Sequence, residues 1–355
     1  MIRRIAIVIS PNWKDYAEKY LAECLESIRS QDFEGESKIF LVDNETNEKS
    51  FLYLKKIAPE AEIVRNETND GFAKGNNEAI KIALRADFDY IVLFNMDTVV
   101  EASCLTELVK TVESDEKIGA VQARLMMWPE KTRVNSLGNA THFLGFGYCQ
   151  NYKEIYTEVT ELVDNKSFNV GYPSGAAVLF RAEVLKKVGL FDEEFWMYNE
   201  DQDLGWRIWL SGFRCVLAPG AVTYHKYEFA KSIKQYYFMD RNRIIAIIKN
   251  YHILTLVFVL PAFLVMEIGL LFFASNQGWL KEKIKVWQYF FNRKNWVYIL
   301  RERKKSQTLR QVRDRDIVGM ITGRIWYQEV GDWKLKVINP IFSLYWWMVR
   351  KIIVW

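Results

Sequence analysis

An α/β fold with a mostly parallel central sheet is the class this sequence predicts. Short apolar runs of strand length recur from the start of the chain: IAIVI at 5–9, IFLV at 39–42 and YIVLF at 90–94. Segments with helical spacing separate them, and this β-α-β-α rhythm implies a sheet covered by helices. The three runs end at Ser10-Pro11-Asn12, Asp43-Asn44 and Asn95-Met96-Asp97. In such sheets the functional residues sit just past the carboxyl ends of the strands.

The elements follow in order. Ile5–Ile9 is an apolar strand, Tyr16–Gln31 a helix and Ile39–Val42 a second buried strand. Ser50–Ile57 is helical, Glu62–Arg65 a short strand, Phe72–Arg85 a helix and Tyr90–Phe94 a strand. Ser103–Ser114 and Gly119–Ala123 add a helix and a strand. Trp128–Lys166 is polar and irregular, with Gly138, Gly145 and Gly147, and reads as a long functional loop or pair of hairpins. Ser174–Phe180 is a strand, Ala182–Val188 a short helix and Asp203–Gly212 another helix. Cys215–Leu217 and Ala221–His225 read as two final short strands.

The chain has 355 residues, half of them apolar and 15% aromatic, with 13 Trp. That length suits one large or two modest domains. Four cysteines lie far apart with no paired spacing, which argues against a zinc site or a disulfide framework. The apolar run at the start is too short for a signal peptide. Charge is uneven. Residues 1–240 carry 28 Lys and Arg against 37 Asp and Glu, whereas residues 241–355 carry 20 against 7. The acidic front is a poor nucleic-acid binder; the basic, Trp-rich back suits an anionic membrane surface.

From Phe238 the character changes. Ile253–Ala274 is 22 residues with one charge, Glu267, and one proline, Pro261. It is long enough to span a bilayer, yet basic residues flank both ends, and Pro261 offers a turning point. A re-entrant or interfacial hairpin is preferred here to a single span, with a buried core helix as the other reading. The chain ends in an amphipathic aromatic tail, NPIFSLYWWMVRKIIVW.

Several polar groups stand where chemistry is expected. Asp43 is placed to accept hydrogen bonds from a base or sugar, or else to cap a helix. The turn NDGFAKGNN (69–77) enters a helix; glycine permits close backbone approach to a ligand, and a helix N-terminus attracts phosphate. It is not the dinucleotide fingerprint GxGxxG, which disfavours an oxidoreductase. Asp97 is placed to hold a hard divalent cation together with phosphates, given a further ligand. His225 is that further ligand only if it lies beside Asp97. The segment FDEEFWMYNEDQDLGWR (191–207) packs six carboxylates among large aromatics. Within it, Asp203 and Arg207 are four apart and able to pair, which leaves Asp201 free as a base. Trp196 offers a flat face of the kind that packs on sugar rings.

The blocks VDN (42–44), NDGFAKGNN (69–77), NMD (95–97), SGAAVLFR (174–181), VGLFDEEFWMYNEDQDLGWR (188–207) and the later His225 resemble, in this order, family 2 glycosyltransferases. Within that family the chain is most similar to the rhamnosyltransferase-like branch. The resemblance implies a GT-A nucleotide-diphospho-sugar transferase fold over 1–237, with a nucleotide-binding half at about 1–100 and an acceptor half at about 101–237. It leaves 238–355 as a helical membrane-associating region. It implies an inverting transfer from a nucleotide-diphosphate sugar, of rhamnose or uridine-diphosphate type, to a lipid-linked or polysaccharide acceptor at the cytoplasmic face of the membrane. Pro11, Asp43, Asp70, Gly71, Lys74, Asn95, Ser174 and Gly175 would bind the donor, and Trp196 and Glu200 would face the acceptor. Asp97 and His225 would hold Mg²⁺ or Mn²⁺, and Asp201 would be the base. Asn95 departs from the family's Asp-x-Asp pattern, and Pro11 stands where relatives often have Tyr-Asn. Asn95 is also the one support for the alternative, a catalytically silent sugar-nucleotide binder in a membrane assembly complex.

Overall fold

Apart from the successive strands Tyr90–Phe94 and Thr98–Val100, strand and helix alternate through the first 127 residues because apolar β-branched runs and amphipathic segments alternate there. The computed structural model describes residues 2–13, 15–44, 47–157, 167–226, 233–326 and 333–355, so part of the Trp128–Lys166 excursion, 158–166, lies outside the described residues. The order is β1 (Arg4–Asn12), α1 (Tyr16–Arg29), β2 (Glu36–Asn44), α2 (Glu48–Ile57), β3 (Glu62–Asn66), α3 (Gly71–Arg85), β4 (Tyr90–Phe94), β5 (Thr98–Val100), α4 (Cys104–Glu113) and β6 (Ile118–Met127). There follow β7 (Val134–Ser136), β8 (Asn139–His142), β9 (Gly147–Cys149), β10 (Phe168–Asn169), β11 (Ala177–Arg181), α5 (Ala182–Val188), α6 (Glu200–Leu210) and β12 (Arg214–His225). The rest is α7 (Ile233–Asn250), α8 (Ile253–Asn276), α9 (Leu280–Phe291), α10 (Arg293–Thr308), α11 (Asp314–Ile317), β13 (Ile321–Thr322) and α12 (Trp333–Ile352).

The chain divides into two units. The first comprises Met1–Asn139, Cys149–Ile208 and Phe213–Glu228; the second comprises Ala140–Tyr148, Trp209–Gly212 and Phe229–Trp355. In the first, the sheet order is β10-β12-β6-β11-β4-β1-β2-β3. Strands β3, β2, β1 and β4 are parallel neighbours, and so are β6 and β12. β11 lies antiparallel between β4 and β6, so the sheet is mixed. The chain reaches β11 through a long excursion rather than one helical crossover, and only the crossover enforces parallel entry. Ile7, Val92 and Leu179 of the sheet form a buried cluster with Leu21 and Leu25 of α1 and Leu105 and Leu108 of α4. Burial of each such side chain contributes about 1.5–3 kcal/mol.

Two local expectations are corrected. Cys215–Leu217 and Ala221–His225 are one strand, β12; the register shifts between Ala218 and Val222, so Pro219-Gly220 is absorbed as a bulge instead of a turn. Helix α8 runs unbroken through Pro261, which therefore does not turn the segment back. Pro deletes one backbone donor, and the remaining turns of a 24-residue helix hold it.

The second unit is mostly helical, with a small sheet in the order β13-β8-β9. Its interior holds a closed charge network. Lys283 donates to Asp240 at 2.7 Å and Glu267 at 2.6 Å. Arg243 donates to Asp240 at 2.8 Å and also pairs with Glu267. Two cations meet two anions here, so no buried charge is left uncompensated.

Candidate active site

The carboxyl ends of β1, β2 and β4 and the start of β11 converge in the first unit. The amide of Asn95 donates to the Ala176 carbonyl at 3.0 Å, which fixes the end of β4 beside the Ser174-Gly175 turn. The Ser10 hydroxyl lies 2.5 Å from Asn95 Oδ1, tying in the end of β1. The Ser174 amide donates to Gln122 Oε1 at 2.7 Å. The Gly175 amide points at Asp201 Oδ2 at 3.4 Å, and the Gln202 amide donates to Asp201 Oδ1 at 2.8 Å. Asn95, Ser174, Gly175 and Asp201 therefore share one site.

Asp97 lies just beyond β4 and His225 ends β12; β5 pairs with β12 in the register His225↔Thr98 and so brings them together. His225 Nε2 is 3.3 Å from Asp97 Oδ1, and both side chains are buried. Asp97 Oδ1 is buried and accepts no hydrogen bond, while Oδ2 accepts one from the Tyr16 hydroxyl at 2.7 Å. His225 Nδ1 is 3.2 Å from Asn135 Oδ1. With Nδ1 toward Asn135, the Nε2 edge faces the buried Asp97 carboxylate oxygen, which is where a cation would replace a proton. This pair fits a divalent cation, with two protein ligands and the remainder left to phosphate oxygens. Among the described residues no group of three or more His, Cys, Asp and Glu is placed to bind a metal, so a self-sufficient protein cage does not exist there.

The carboxylates differ in proton affinity. Burial pushes the Asp97 carboxyl up, but His225 and the Tyr16 hydroxyl outweigh it and hold it below the usual range. Burial lifts Asp201 to about 6, against the opposing pull of the Gln202 and Gly175 amides. Burial, and then the charge of Asp201, push Glu200 well above the usual carboxylate range. Glu200 Oε2 is buried and finds no partner, which a neutral acid tolerates better than an anion. Asp203 and Arg207 pair at 2.9 Å, and Arg207 also donates to the Val188 and Leu190 carbonyls at 2.7 Å each. This clamp fixes the chain entering the acidic segment.

The turn 69–77 has a different task from the expected phosphate cradle. The amides of Phe72 and Ala73, at the start of α3, donate to the Trp196 carbonyl at 2.7 and 3.1 Å. The Gly71 amide donates to Asn69 Oδ1 at 3.0 Å. These donors are taken by protein, so the N-terminus of α3 is not open to phosphate. Gly71 has φ +72°, and a Cβ there would meet Trp196 at 2.5 Å; the close approach is to the acidic segment. Asp70 and Lys74 pair with each other at 2.8 Å. Asn77 donates to the Phe191 carbonyl at 2.9 Å and accepts from its amide at 3.1 Å. Thus α3 staples the loop that carries Trp196, Glu200 and Asp201.

Of the remaining residues, Pro11 packs against Gly75, where a Cβ would come within 2.5 Å of its ring. Asp43 is fully buried 3.7 Å from Arg65. Trp196, Tyr198 and Asn199 have φ of 59°, 68° and 64°. Three non-glycine residues in the left-handed region mark stored strain, which clusters at functional loops. Tyr16, Asn135 and Gln122 were missed from sequence. Gln122 alone carried a signal, as an amide inside the buried strand IGAVQARLMM.

Residues 3–243 match the family described as Glycosyltransferase like family 2. The chain belongs to that family, and it is a glycosyltransferase. Poly-beta-1,6-N-acetyl-D-glucosamine synthase of Staphylococcus epidermidis is 21% identical over 201 residues, 56% of this chain and 45% of that protein. The enzyme of the same description from Staphylococcus aureus strain COL is 21% identical over 203 residues, 57% of this chain and 45% of that protein. The chain thus spans less than half the length of these relatives. Among solved structures, S. aureus TarS 1–349 in complex with UDP has a TM-score of 0.51 at 16% identity, covering 99% of this chain and 90% of that one. GalNAc-T7 with UDP, GalNAc and Mn²⁺ has a TM-score of 0.55 at 14% identity, covering 70% and 48%. At such identities the likeness carries the fold, which is the GT-A architecture of this family-2 glycosyltransferase. The rhamnosyltransferase-like branch is a finer assignment that these relatives do not carry.

Proposed function

We propose that this glycosyltransferase moves a sugar, with inversion, from a nucleoside-diphosphate donor to a hydroxyl of a lipid-linked or polysaccharide acceptor, with Asp201 as the general base. The single observation behind the proposal is Asp201 itself. Its carboxylate is held by two backbone amides at the mouth of the Ser174-Gly175 turn, and its affinity is raised to about 6, near the pH where a base works best. A diphosphate leaving group is already activated, so one carboxylate suffices and no second acid is required, unlike a glycosidase. Asp97 and His225 would hold Mg²⁺ or Mn²⁺, which supplies Lewis-acid neutralisation of the departing diphosphate. Tyr16 and Asn135 orient these two ligands. Ser174, Gly175 and Asn95 border the donor sugar, Pro11 and Asp43 border the nucleoside, and Trp196 and Glu200 lie on the acceptor side. We place Gly71 with Asp70 and Lys74 at the edge of the donor pocket as a support of the acidic loop.

A uridine-diphosphate sugar is the donor we put first, since the matched TarS and GalNAc-T7 structures both contain UDP. Deoxythymidine-diphosphate rhamnose is the competitor implied by the branch. We assign residues 1–237 to catalysis and 238–355 to association with the cytoplasmic membrane face, supported by the basic, aromatic back half.

The test is Asp201→Asn assayed with uridine- and deoxythymidine-diphosphate sugars. Transfer should fall by about 10²–10⁴-fold, while UDP affinity measured by calorimetry stays unchanged. Full turnover in the variant would remove Asp201 from its role.

A further inference from the structure

Helix α8 is apolar enough to cross a bilayer, with a mean hydropathy of 2.5 over its best window. Its two sides have different fates. One side is tied to the second unit along its length. Near its start, the Thr255 hydroxyl donates to Asp314 at 2.5 Å and accepts from the Trp355 indole at 2.8 Å. Past its middle, Glu267 is bonded to Lys283 of α9 and Arg243 of α7, and accepts from the Trp287 indole at 3.1 Å. The other side is bare. Leu254, Val257, Leu260, Leu264, Ile268 and Phe272 are all exposed. At 3.6 residues per turn they fall on about a third of the circumference, in a stripe about 27 Å long.

Helix α12 carries a second stripe. Val337, Ile341, Leu344, Met348 and Ile352 are exposed at spacings of four, three, four and four. The two helices touch: the Tyr345 hydroxyl donates to the Phe258 carbonyl at 2.5 Å, and Trp355 stacks on Phe258 at 5.8 Å. Two bare apolar stripes on adjoining helices exceed what a soluble surface carries without a function.

We infer that α8 and α12 lie in the plane of an anionic membrane, with their bare stripes in the acyl region and their tied sides in the protein. The inference rests on the membrane association proposed above and decides its geometry. A spanning α8 would be surrounded by lipid and would draw its bonded neighbours in with it. Those neighbours are polar. Helix α9, bonded to α8 through Lys283 and Trp287, carries exposed Lys281 and Lys285. Charged helices of this kind do not enter hydrocarbon. Lying in the plane satisfies both sides at once. The charge agrees, because residues 241–355 carry 20 Lys and Arg against 7 Asp and Glu. Arg350 and Lys351 are exposed in the last turn of α12, and the Lys351 ammonium sits 3.5 Å over the exposed Trp347 ring. That arrangement suits a headgroup boundary with acidic phospholipid.

The full chain is floated with vesicles of phosphatidylcholine alone or with phosphatidylglycerol, and an environment-sensitive fluorophore is placed at Leu254→Cys or Phe272→Cys. Flotation on the phosphatidylglycerol vesicles, with both labels quenched at the same shallow depth by brominated lipids and both reached by iodide added outside the vesicles, is the expected result. The double variant Leu264→Glu/Ile268→Glu should lose flotation and keep UDP binding, which shows that it folds. A label reached only from the vesicle lumen, or depths differing by the bilayer thickness, would overturn the in-plane arrangement and leave membrane association intact. No flotation on either vesicle would sink the association itself.

Discussion

Asp97 and Asp201 are the same side chain in the same domain, and the fold drives them in opposite directions. Asp97 meets an imidazole and a phenol and is held ionised. Asp201 meets backbone amides and a second carboxyl among the described residues, and burial lifts it to about 6. One environment makes a permanent anion, suited to a cation; the other makes a group that exchanges a proton near neutrality. The chemistry of the site lies in this divergence rather than in the number of carboxylates, of which the acidic segment has more than it uses.

Measurements that break or sharpen the comparison can be ranked by size. Asp97→Asn should remove the strengthening of UDP binding by Mn²⁺, because the anion is what the cation needs; a calorimetric titration in which Mn²⁺ still strengthens UDP binding would contradict the assignment. Asn135→Leu should weaken Mn²⁺ binding by about 10–100-fold by freeing the His225 ring, with UDP affinity in the absence of metal unaffected. Next comes pH. If Asp201 is the base, the turnover rate should drop about tenfold per unit below about 6 and be flat above it. A profile flat down to pH 5 would argue against an elevated affinity. Glu200→Gln should leave that profile nearly in place, since a protonated acid and an amide are close in shape and charge; a large downward shift would show that Glu200 is ionised.

The smallest effect is on stability, and its sign is opposite to that of an ordinary paired aspartate. The folded protein holds the Asp201 proton more tightly than the unfolded chain, whose carboxyl titrates near about 3.9. The cost of ionising it in the fold is absent below about 4, grows between 4 and 6, and is complete above 6. Asp201→Asn should therefore raise the Tm at pH 8 and leave it unchanged at pH 4; equal shifts at both would refute the linkage.

Much of this was legible in the sequence, for identifiable reasons. Strand ends announced themselves because an apolar run stops at a polar residue, and so Asp97 was singled out; Asp201 drew notice because the spacing of Asp203 and Arg207 left it free in the acidic segment. The Asp203–Arg207 pair followed from helical spacing. Contacts between distant segments were not legible. Nothing in the chain near Tyr16 or Asn135 says that they meet Asp97 and His225, because the packing of α1 on β5 and the pairing of β7 with β6 bring them there. The glycines and asparagines of 69–77 were read as facing a ligand, yet Asn69, Gly71 and Asn77 face the acidic loop, and Gly75 faces Pro11. Close approach leaves the same mark on a sequence whether the neighbour is a nucleotide or a tryptophan carbonyl. Pro261 and Pro219-Gly220 were read as breaks because local propensity was weighed without the packing that holds α8 and β12 together.

The Trp196 carbonyl takes the place of a capping side chain for α3. Its two partners, the Phe72 and Ala73 amides, are protected only while the loop before Asp201 stays seated. Those two protons are thus natural reporters of loop opening. Their deuterium uptake, followed with and without nucleotide, would time the movement of the catalytic segment without placing a label anywhere near it.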